Sequence, residues 1–373
     1  MTKLIYNNSK DSTFRYAVGG FEVADPTFVL DMDGKRLVFL DHREFGMFES
    51  QNTQPNIEAV LANPIWEEAV SMSADERVEV RCGFVILQKY NLFDERLQVP
   101  ANFPLFMADG LRRLGVKLEA VDSLYPERLQ KTEQEVGHIR EALIGAQAAF
   151  RRIEEVLQES SIVGDEIHWR SEVLTSEVLK IEAERALLDV GMSNDEEMVV
   201  SCGSHAAIPH HRGKGALRPH ATIVCDIFPR HKKSGYYADM TRTYVKGEPS
   251  EQVRKMYQAV ADAQRKGFEI IRTGMSSLDV HDQVEQVFLD AGFHVGDAGF
   301  IHGTGHGLGL DIHELPFMNR NHNSVMEVGH VVTVEPGLYY PEHGGVRIED
   351  VVVVTPDGVE NLTKYPIDNW IIS

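Results

Sequence analysis

The stretch HGTGHGLGLDIHELP, residues 302–316, sets His302, His306 and His313 within twelve residues, four and then seven apart. Imidazoles this close together point to metal ligation or proton transfer. A helical zinc signature, H-E-x-x-H, needs a continuous helix so that both histidines share one face. Here Gly303, Gly305, Gly307 and Gly309 would each weaken such a helix by about 1 kcal/mol, and Phe317 stands where the second histidine would have to be. The pattern predicts tight backbone wrapped around a site. His306, with glycine on both sides, is the imidazole best placed to approach a crowded cluster.

Carboxylate partners stand in three further stretches. In ATIVCDIFPRHKKSGYYADMTRT, 221–243, Asp226 ends an apolar strand and Asp239 lies on the returning one, so a hairpin would set them side by side. Glu335 closes the apolar strand of VVTVEPGLYY, 331–340. In GGVRIEDVVVVT, 344–355, a two-residue period puts Arg347 and Glu349 on one face and Val346 and Ile348 on the other. A single acid at a strand end is ordinarily solvated. Four of them inside or beside apolar strands would repel one another and be driven to protonate. Two divalent cations balance those four negative charges. Hard oxygen ligands with one imidazole suit manganese, cobalt, iron or zinc at a two-metal hydrolytic centre.

The elements that must position these residues are legible in outline. RLVFLD (36–41) and GFVILQKY (83–90) read as strands, and 55–72 and 107–115 are compatible with helices, giving a small α/β unit without a chemical constellation. The chain changes character over DSLYPERLQKT, 122–132. Thr132 with Glu135 then forms a capping-box pattern ahead of a helix over 133–158. A second helix begins at Thr175, and a further pair, 250–272 and 276–291, is broken at Thr273-Gly274. Strand-like runs at 197–202, 221–228, 236–245, 329–335 and 345–355 accompany them. Helix pairs followed by strand groups, twice over, predict an α+β domain with internal duplication. The expected domains are 1–128 and 129–373.

Composition bounds the function. The 373 residues are 43% hydrophobic and 25% charged, as in an ordinary globular protein. A formal charge of −20 argues against a sequence-independent hold on nucleic acid. Cys82, Cys202 and Cys225 are too few and scattered for a disulfide framework, which suits a reducing compartment. The N-terminus lacks the apolar core of a signal peptide, and no run of 18 apolar residues occurs. The expectation is a cytoplasmic protein with no membrane partner.

DIFPRHKKSGYYADMTRT, HGTGHGLGLDIHE, VEPGLYY and GGVRIEDVVVVT resemble the ordered metal motifs of the pita-bread metallopeptidases. That family (M24) includes methionine aminopeptidase, aminopeptidase P and prolidase, with creatinase as a metal-free relative. The resemblance covers roughly 130–373, and the preceding unit is similar to the N-terminal creatinase-type α/β domain of the aminopeptidase P and prolidase branch. It implies that Asp226 chelates one metal, that Asp239 and Glu349 bridge two, and that His306 and Glu335 bind the second. Manganese is the foremost expectation, with cobalt, zinc or iron as alternatives. A bridging water acidified by both cations would be the nucleophile, with Glu335 as general base. AAIPHHRG, 206–213, resembles the segment that carries a proton-delivering histidine, here His210, although a spacing one residue short leaves the register against His211 open. His302 and His313 would line the substrate site and stabilise the oxyanion, and Arg347 would hold ligands and substrate.

The implied activity is hydrolysis of the bond between an N-terminal residue and proline, by a homodimer. An X-Pro bond has no N–H and a fixed φ, so a site that grips the chain end handles it better than one that grips extended backbone. Phe317, Tyr339 and Tyr340 are candidates for a wall against the pyrrolidine ring, or else plain core residues. Two departures stand out. Asp226 and Asp239 are thirteen apart where relatives usually have eleven, and Phe317 stands where many relatives have an arginine implicated in holding a dipeptide's carboxylate, a role left to Arg320 or to a residue of a neighbouring subunit. A creatinase-like metal-free C–N hydrolase and a catalytically silent binding protein on the same fold are the other readings; both would have lost ligand carboxylates that this chain keeps.

Overall fold

The computed structural model describes residues 1–73 and 75–373. The chain divides into two compact units, Met1–Pro126 and Glu127–Ser373. Among the described residues no helix is long and apolar enough to cross a membrane.

The first unit is built on a six-stranded mixed sheet. Its spatial order is Ile57–Leu61, Lys35–Leu40, Thr27–Met32, Lys3–Asn7, Arg96–Pro100, Lys117–Val121. The two central hairpin pairings are antiparallel and the outer pairings are parallel. One apolar cluster forms around Phe28, Leu30, Val80 and Leu111, and another around Phe14, Val29, Val38 and Phe48. Val29 and Leu30, adjacent in one strand, fall in different clusters, as the alternation of a sheet covered on both faces requires. The run 83–90 is not a strand. It forms the second half of the helix Val78–Lys89, with Val80, Val85, Ile86 and Leu87 buried. A short apolar run fits either structure, and the preceding VEVRC extends this one beyond ordinary strand length.

The second unit begins with the helix Glu133–Glu159. The Thr132 hydroxyl accepts the Glu135 N–H, and the Glu135 carboxylate accepts the Thr132 N–H at 2.8 Å, completing the capping box. The helix Ser176–Asp189 packs beside it, capped by Thr175. The pair Glu251–Ile270 and Ser277–Asp290 repeats the arrangement, capped by Ser250 and Ser276. Each pair serves one sheet. The first sheet orders Val199–Cys202, Thr222–Ile227, Met240–Lys246 and Ile371–Ile372. The second orders Glu314–Met318, Gly305–Gly307, Val331–Val334, Asp350–Thr355 and Gly358–Asn361. The sheets meet where Glu349 donates its N–H to the Thr241 carbonyl, 3.1 Å.

Two local features refine the sequence reading. The segment 345–355 is two strands, Gly344–Arg347 and Asp350–Thr355, interrupted at Ile348-Glu349. The first pairs with Gly337–Tyr340 and the second with Val331–Val334, so Glu349 sits at the step between ladders. The long Asp226–Asp239 connection is also structured: Arg230–His231 pairs with Met192–Ser193, and Arg230 bridges to Tyr237. These pairings tie the base of the connection to Met192–Ser193, with Lys232 and Lys233 exposed at its tip.

Candidate metal centre

Five ligand-type side chains converge where the sheets meet. Asp226 comes from Thr222–Ile227 and Asp239 immediately precedes Met240–Lys246; the register pairs Asp226 with Thr241 and Ile227 with Met240. His306 is the middle residue of Gly305–Gly307, Glu335 follows Val331–Val334, and Glu349 occupies the break described above. Gly305 and Gly307 are required by packing. A Cβ on Gly305 would lie 2.0 Å from the Thr333 carbonyl oxygen, and one on Gly307 would lie 2.2 Å from that of Leu315. The glycines let a short strand slide between two neighbours and push His306 into the cluster.

The hydrogen bonds of His306 fix its chemistry. Its Nδ1 lies 3.0 Å from the Gly307 carbonyl, which can only accept, so Nδ1 carries the proton and Nε2 a lone pair. Burial holds the ring below its usual pKa and therefore neutral. That lone pair faces Asp239 Oδ2 at 3.5 Å and Glu335 Oε1 at 3.4 Å. One ligand atom each from Asp239, His306 and Glu349 lies within 4.8 Å of the other two. Asp226 Oδ1 and Asp239 Oδ1 are buried without a hydrogen-bond partner.

The electrostatics are those of a site short of positive charge. Burial, followed by Glu349, Asp226 and Glu335, pushes the Asp239 carboxyl well above its ordinary range. Burial, followed by Glu335 and Asp226, does the same to Glu349. Burial lifts Glu335 to about 7, against the pull of Arg347. Arg347, itself buried, donates to Asp226 Oδ2 at 2.6 Å and to the Tyr339 hydroxyl at 2.7 Å. One guanidinium cannot neutralise four carboxylates. Unpartnered buried oxygens, an imidazole lone pair and raised carboxyl pKa values together fit divalent cations held by Asp226, Asp239, His306, Glu335 and Glu349.

These residues line a cleft of about 350 Å³ that also receives His210, His302, His313 and Arg347. His211 is directed elsewhere: its ring stacks on His205 at 4.1 Å between centroids, and its Nδ1 accepts the Gly213 N–H at 2.9 Å. His302 has both nitrogens engaged. Nδ1 donates to the Gly303 carbonyl at 2.8 Å, and Nε2 accepts from the Tyr339 hydroxyl at 2.9 Å. Burial and then Arg347 press its pKa down to about 3. His313 stands edge-on to His306, 4.4 Å between ring centroids, and is held below its usual pKa by burial and by His306.

Of the three aromatic candidates only Phe317 lines the cleft. The Tyr339 hydroxyl lies between Arg347 and His302, and that of Tyr340 accepts the His294 N–H. Arg320 is bound to Glu285 at 2.8 Å and lies outside the cleft lining. Sequence reasoning passed over Phe228, Arg212 and Glu196, which do line it. A signal existed for Phe228, because it follows Asp226 by two and so continues the same strand face.

The sequence profile of metallopeptidase family M24 matches residues 137–356. A probable dipeptidase, PepE, from Mycobacterium tuberculosis is 34% identical over 269 residues, 72% of this chain and 67% of the relative. Among solved structures, an Xaa-Pro dipeptidase from Bacillus anthracis superposes with a TM-score of 0.80 at 26% identity, over 99% of this chain and 94% of that one. The X-Pro aminopeptidase from Thermotoga maritima shares the fold, with a TM-score of 0.80 at 22% identity over 100% of this chain and 97% of its own. With four acids and one imidazole gathered where two sheets meet, and these likenesses running nearly the length of the molecule, the chain is a pita-bread enzyme and belongs to metallopeptidase family M24.

Proposed function

We propose that this protein hydrolyses the peptide bond between an N-terminal residue and proline, using two divalent cations held by Asp226, Asp239, His306, Glu335 and Glu349. The observation that carries the metal-dependent part is the His306 lone pair facing Asp239 and Glu335 amid unpartnered buried carboxylate oxygens. The proline part is supported by the names of the similar proteins, several of them Xaa-Pro dipeptidases. Asp239 and Glu349 would bridge, Asp226 would complete one shell, and His306 and Glu335 the other. Oxygen-rich ligation with one imidazole favours manganese, ahead of cobalt, zinc or iron.

Two such cations, when bound, acidify water and polarise the scissile carbonyl. The chain's own residues do the rest. Glu335, on the cleft wall with Oε1 3.4 Å from His306 Nε2, takes the proton of the attacking water. His210, on the cleft wall, supplies a proton to the prolyl nitrogen as it leaves, which a tertiary amide nitrogen needs in order to depart as an amine. His313 is the histidine available to the developing oxyanion. His302, with both nitrogens engaged, shapes the wall and ties it through Tyr339 to Arg347. Phe228 and Phe317 offer the apolar surface for the pyrrolidine ring. The unit Met1–Pro126 serves as the creatinase-type N-terminal domain. The family resemblance supports a homodimer, and three unpaired cysteines fit a cytoplasmic location.

The test is hydrolysis of Ala-Pro, Ala-Pro-Ala and Ala-Ala by protein stripped with chelator and then reloaded with manganese. Cleavage of the proline substrates, lost on chelation and restored by metal, is the expected result. Full activity in the stripped protein, or equal cleavage of Ala-Ala, would sink the proposal.

A further inference from the structure

We infer that Arg212 receives the free C-terminal carboxylate of an Xaa-Pro dipeptide and thereby makes two-residue peptides the preferred substrates; this rests on the Xaa-Pro reading above. The case begins with the charges of the cleft. Its lining holds five carboxylates, Glu196, Asp226, Asp239, Glu335 and Glu349, against two side chains of fixed positive charge, Arg212 and Arg347. Arg347 is buried and fully engaged by Asp226, Tyr339 and Thr241. Arg212 is different. Its side chain is 38% exposed, and its ion-pair partner Glu196 stands 3.6 Å away and is 64% exposed. That separation is beyond a good charge-assisted hydrogen bond, so the guanidinium keeps donors for an incoming anion.

The base of Arg212 is fixed even though its tip is open. Its carbonyl accepts the Val200 N–H at 3.1 Å. The next residue, Gly213, has φ of +81°, and a Cβ there would strike the Val200 carbonyl oxygen at 1.7 Å. Val199, beside Val200, is paired with Asp226 in the ladder. Arg212 therefore stands a short cross-strand step from the carboxylate cluster. When a dipeptide places its scissile carbonyl at that cluster, its terminal carboxylate lies one residue farther on, about 3.5 Å of chain.

The neighbours of Arg212 match a prolyl end. Its guanidinium lies over the Phe228 ring, 5.5 Å from the centroid, and Phe228 shares the cleft with Pro209 and Phe317. A C-terminal proline carries its carboxylate directly beside an apolar ring, so an aromatic face next to a guanidinium is complementary to both. A cleft of about 350 Å³ is at the small end for ligand sites, as a substrate of two or three residues requires. In a longer peptide an amide replaces the carboxylate, and the charge-assisted bonds to Arg212 are lost.

The experiment compares Ala-Pro with Ala-Pro-amide, alike in size and different in charge, on manganese-loaded enzyme. The wild type should favour the acid. In Arg212→Met the ratio of kcat/KM for acid over amide should fall by about 10- to 100-fold, mainly through KM for the acid, as expected for loss of a charge-assisted bond. Arg212→Lys should recover part of that ratio. Glu196→Gln, which removes the competing carboxylate, should lower KM for the acid. An unchanged ratio in Arg212→Met, or no recovery with lysine, overturns the assignment. Failure of the wild type to cleave either compound would instead refute the Xaa-Pro reading, so the two failures are distinguishable.

Discussion

His306 turns an unprotonated Nε2 toward Asp239, 3.5 Å from a carboxylate oxygen, because its Nδ1–H is committed to the Gly307 carbonyl. Two acceptors held so close need a positive charge between them. In the metal-free protein burial, followed by Glu349, Asp226 and Glu335, pushes Asp239 toward its neutral form, so a proton takes that place; a bound cation would replace it. The same pocket thus stores protons or metal, and the exchange between them is open to measurement.

Asp239→Ala removes a carboxylate that lies, by one ligand atom each, within 4.8 Å of both His306 and Glu349. Bound metal should fall below one ion per chain, and turnover should drop by at least three orders of magnitude, as for a site that loses its Lewis acid. Metal analysis beside a peptidase assay checks both. A variant with wild-type metal content and activity would refute the bridging role.

The stored protons give a pH dependence. Glu335 titrates at about 7 in the metal-free fold, above the ordinary 4.5. A carboxyl raised in this way contributes stability that is fully present below 4.5 and is lost as pH rises through about 7. The shift corresponds to roughly 3 kcal/mol. Metal-free protein should therefore lose stability between those values, and Glu335→Gln should flatten that loss. Metal binding should release protons and tighten as pH rises toward 7. Melting curves with and without manganese, and calorimetry in two buffers of different ionisation enthalpy, read these effects. Binding that is indifferent to pH between 5 and 7 contradicts them.

Glu314, next to His313, is buried between two cations, 2.7 Å from Arg128 Nη2 and 2.8 Å from the equally buried Lys131 Nζ. It also accepts the Asp311 N–H at 3.1 Å. Glu314→Ala leaves a buried ammonium uncompensated, and we expect a loss of about 3–5 kcal/mol. Lys131→Met leaves Glu314 with Arg128 and should lose less. Urea denaturation of the metal-free proteins orders the two, and the reverse order would show that the triad does not bind the segment before the first long helix to the histidine loop.

Much of this was legible in the chain. Apolar runs ending in Asp226 and Glu335 announce buried strands, because such runs have few other uses, and Thr132 with Glu135 marks the start of a helix by local chemistry alone. Residues whose meaning depends on distant partners were not legible. That Tyr339 holds His302 and Arg347 together depends on where a hairpin lays its hydroxyl, which no local pattern encodes. The run 83–90 misled because apolar length alone does not separate strand from helix. The break at Ile348-Glu349 was hidden by an alternation that continues through it. Phe228 and Arg212 lie beside residues already singled out, yet only the folded cleft gives them a common surface.

His210, His211 and His306 make three distinct expectations. His306→Ala removes the imidazole whose lone pair faces Asp239 and Glu335, so metal occupancy and turnover should fall together. His210 lines the cleft outside the ligand cluster. His210→Ala should keep its metal and fold while turnover falls by about 10²- to 10⁴-fold, the usual worth of a positioned proton-transfer group. His211 serves structure: its ring stacks on His205 and its Nδ1 accepts the Gly213 N–H. His211→Ala should lose about 1 kcal/mol of stability, typical of one hydrogen bond, with turnover reduced far less than in His210→Ala. Metal analysis, steady-state kinetics and denaturant unfolding on the three variants separate the roles. Metal loss in His210→Ala with full occupancy in His306→Ala would reverse the assignment of ligand and acid. A turnover defect confined to His211→Ala would instead mean that the loop rearranges on binding substrate, because in this structure His211 is held away from the cleft by its own partners.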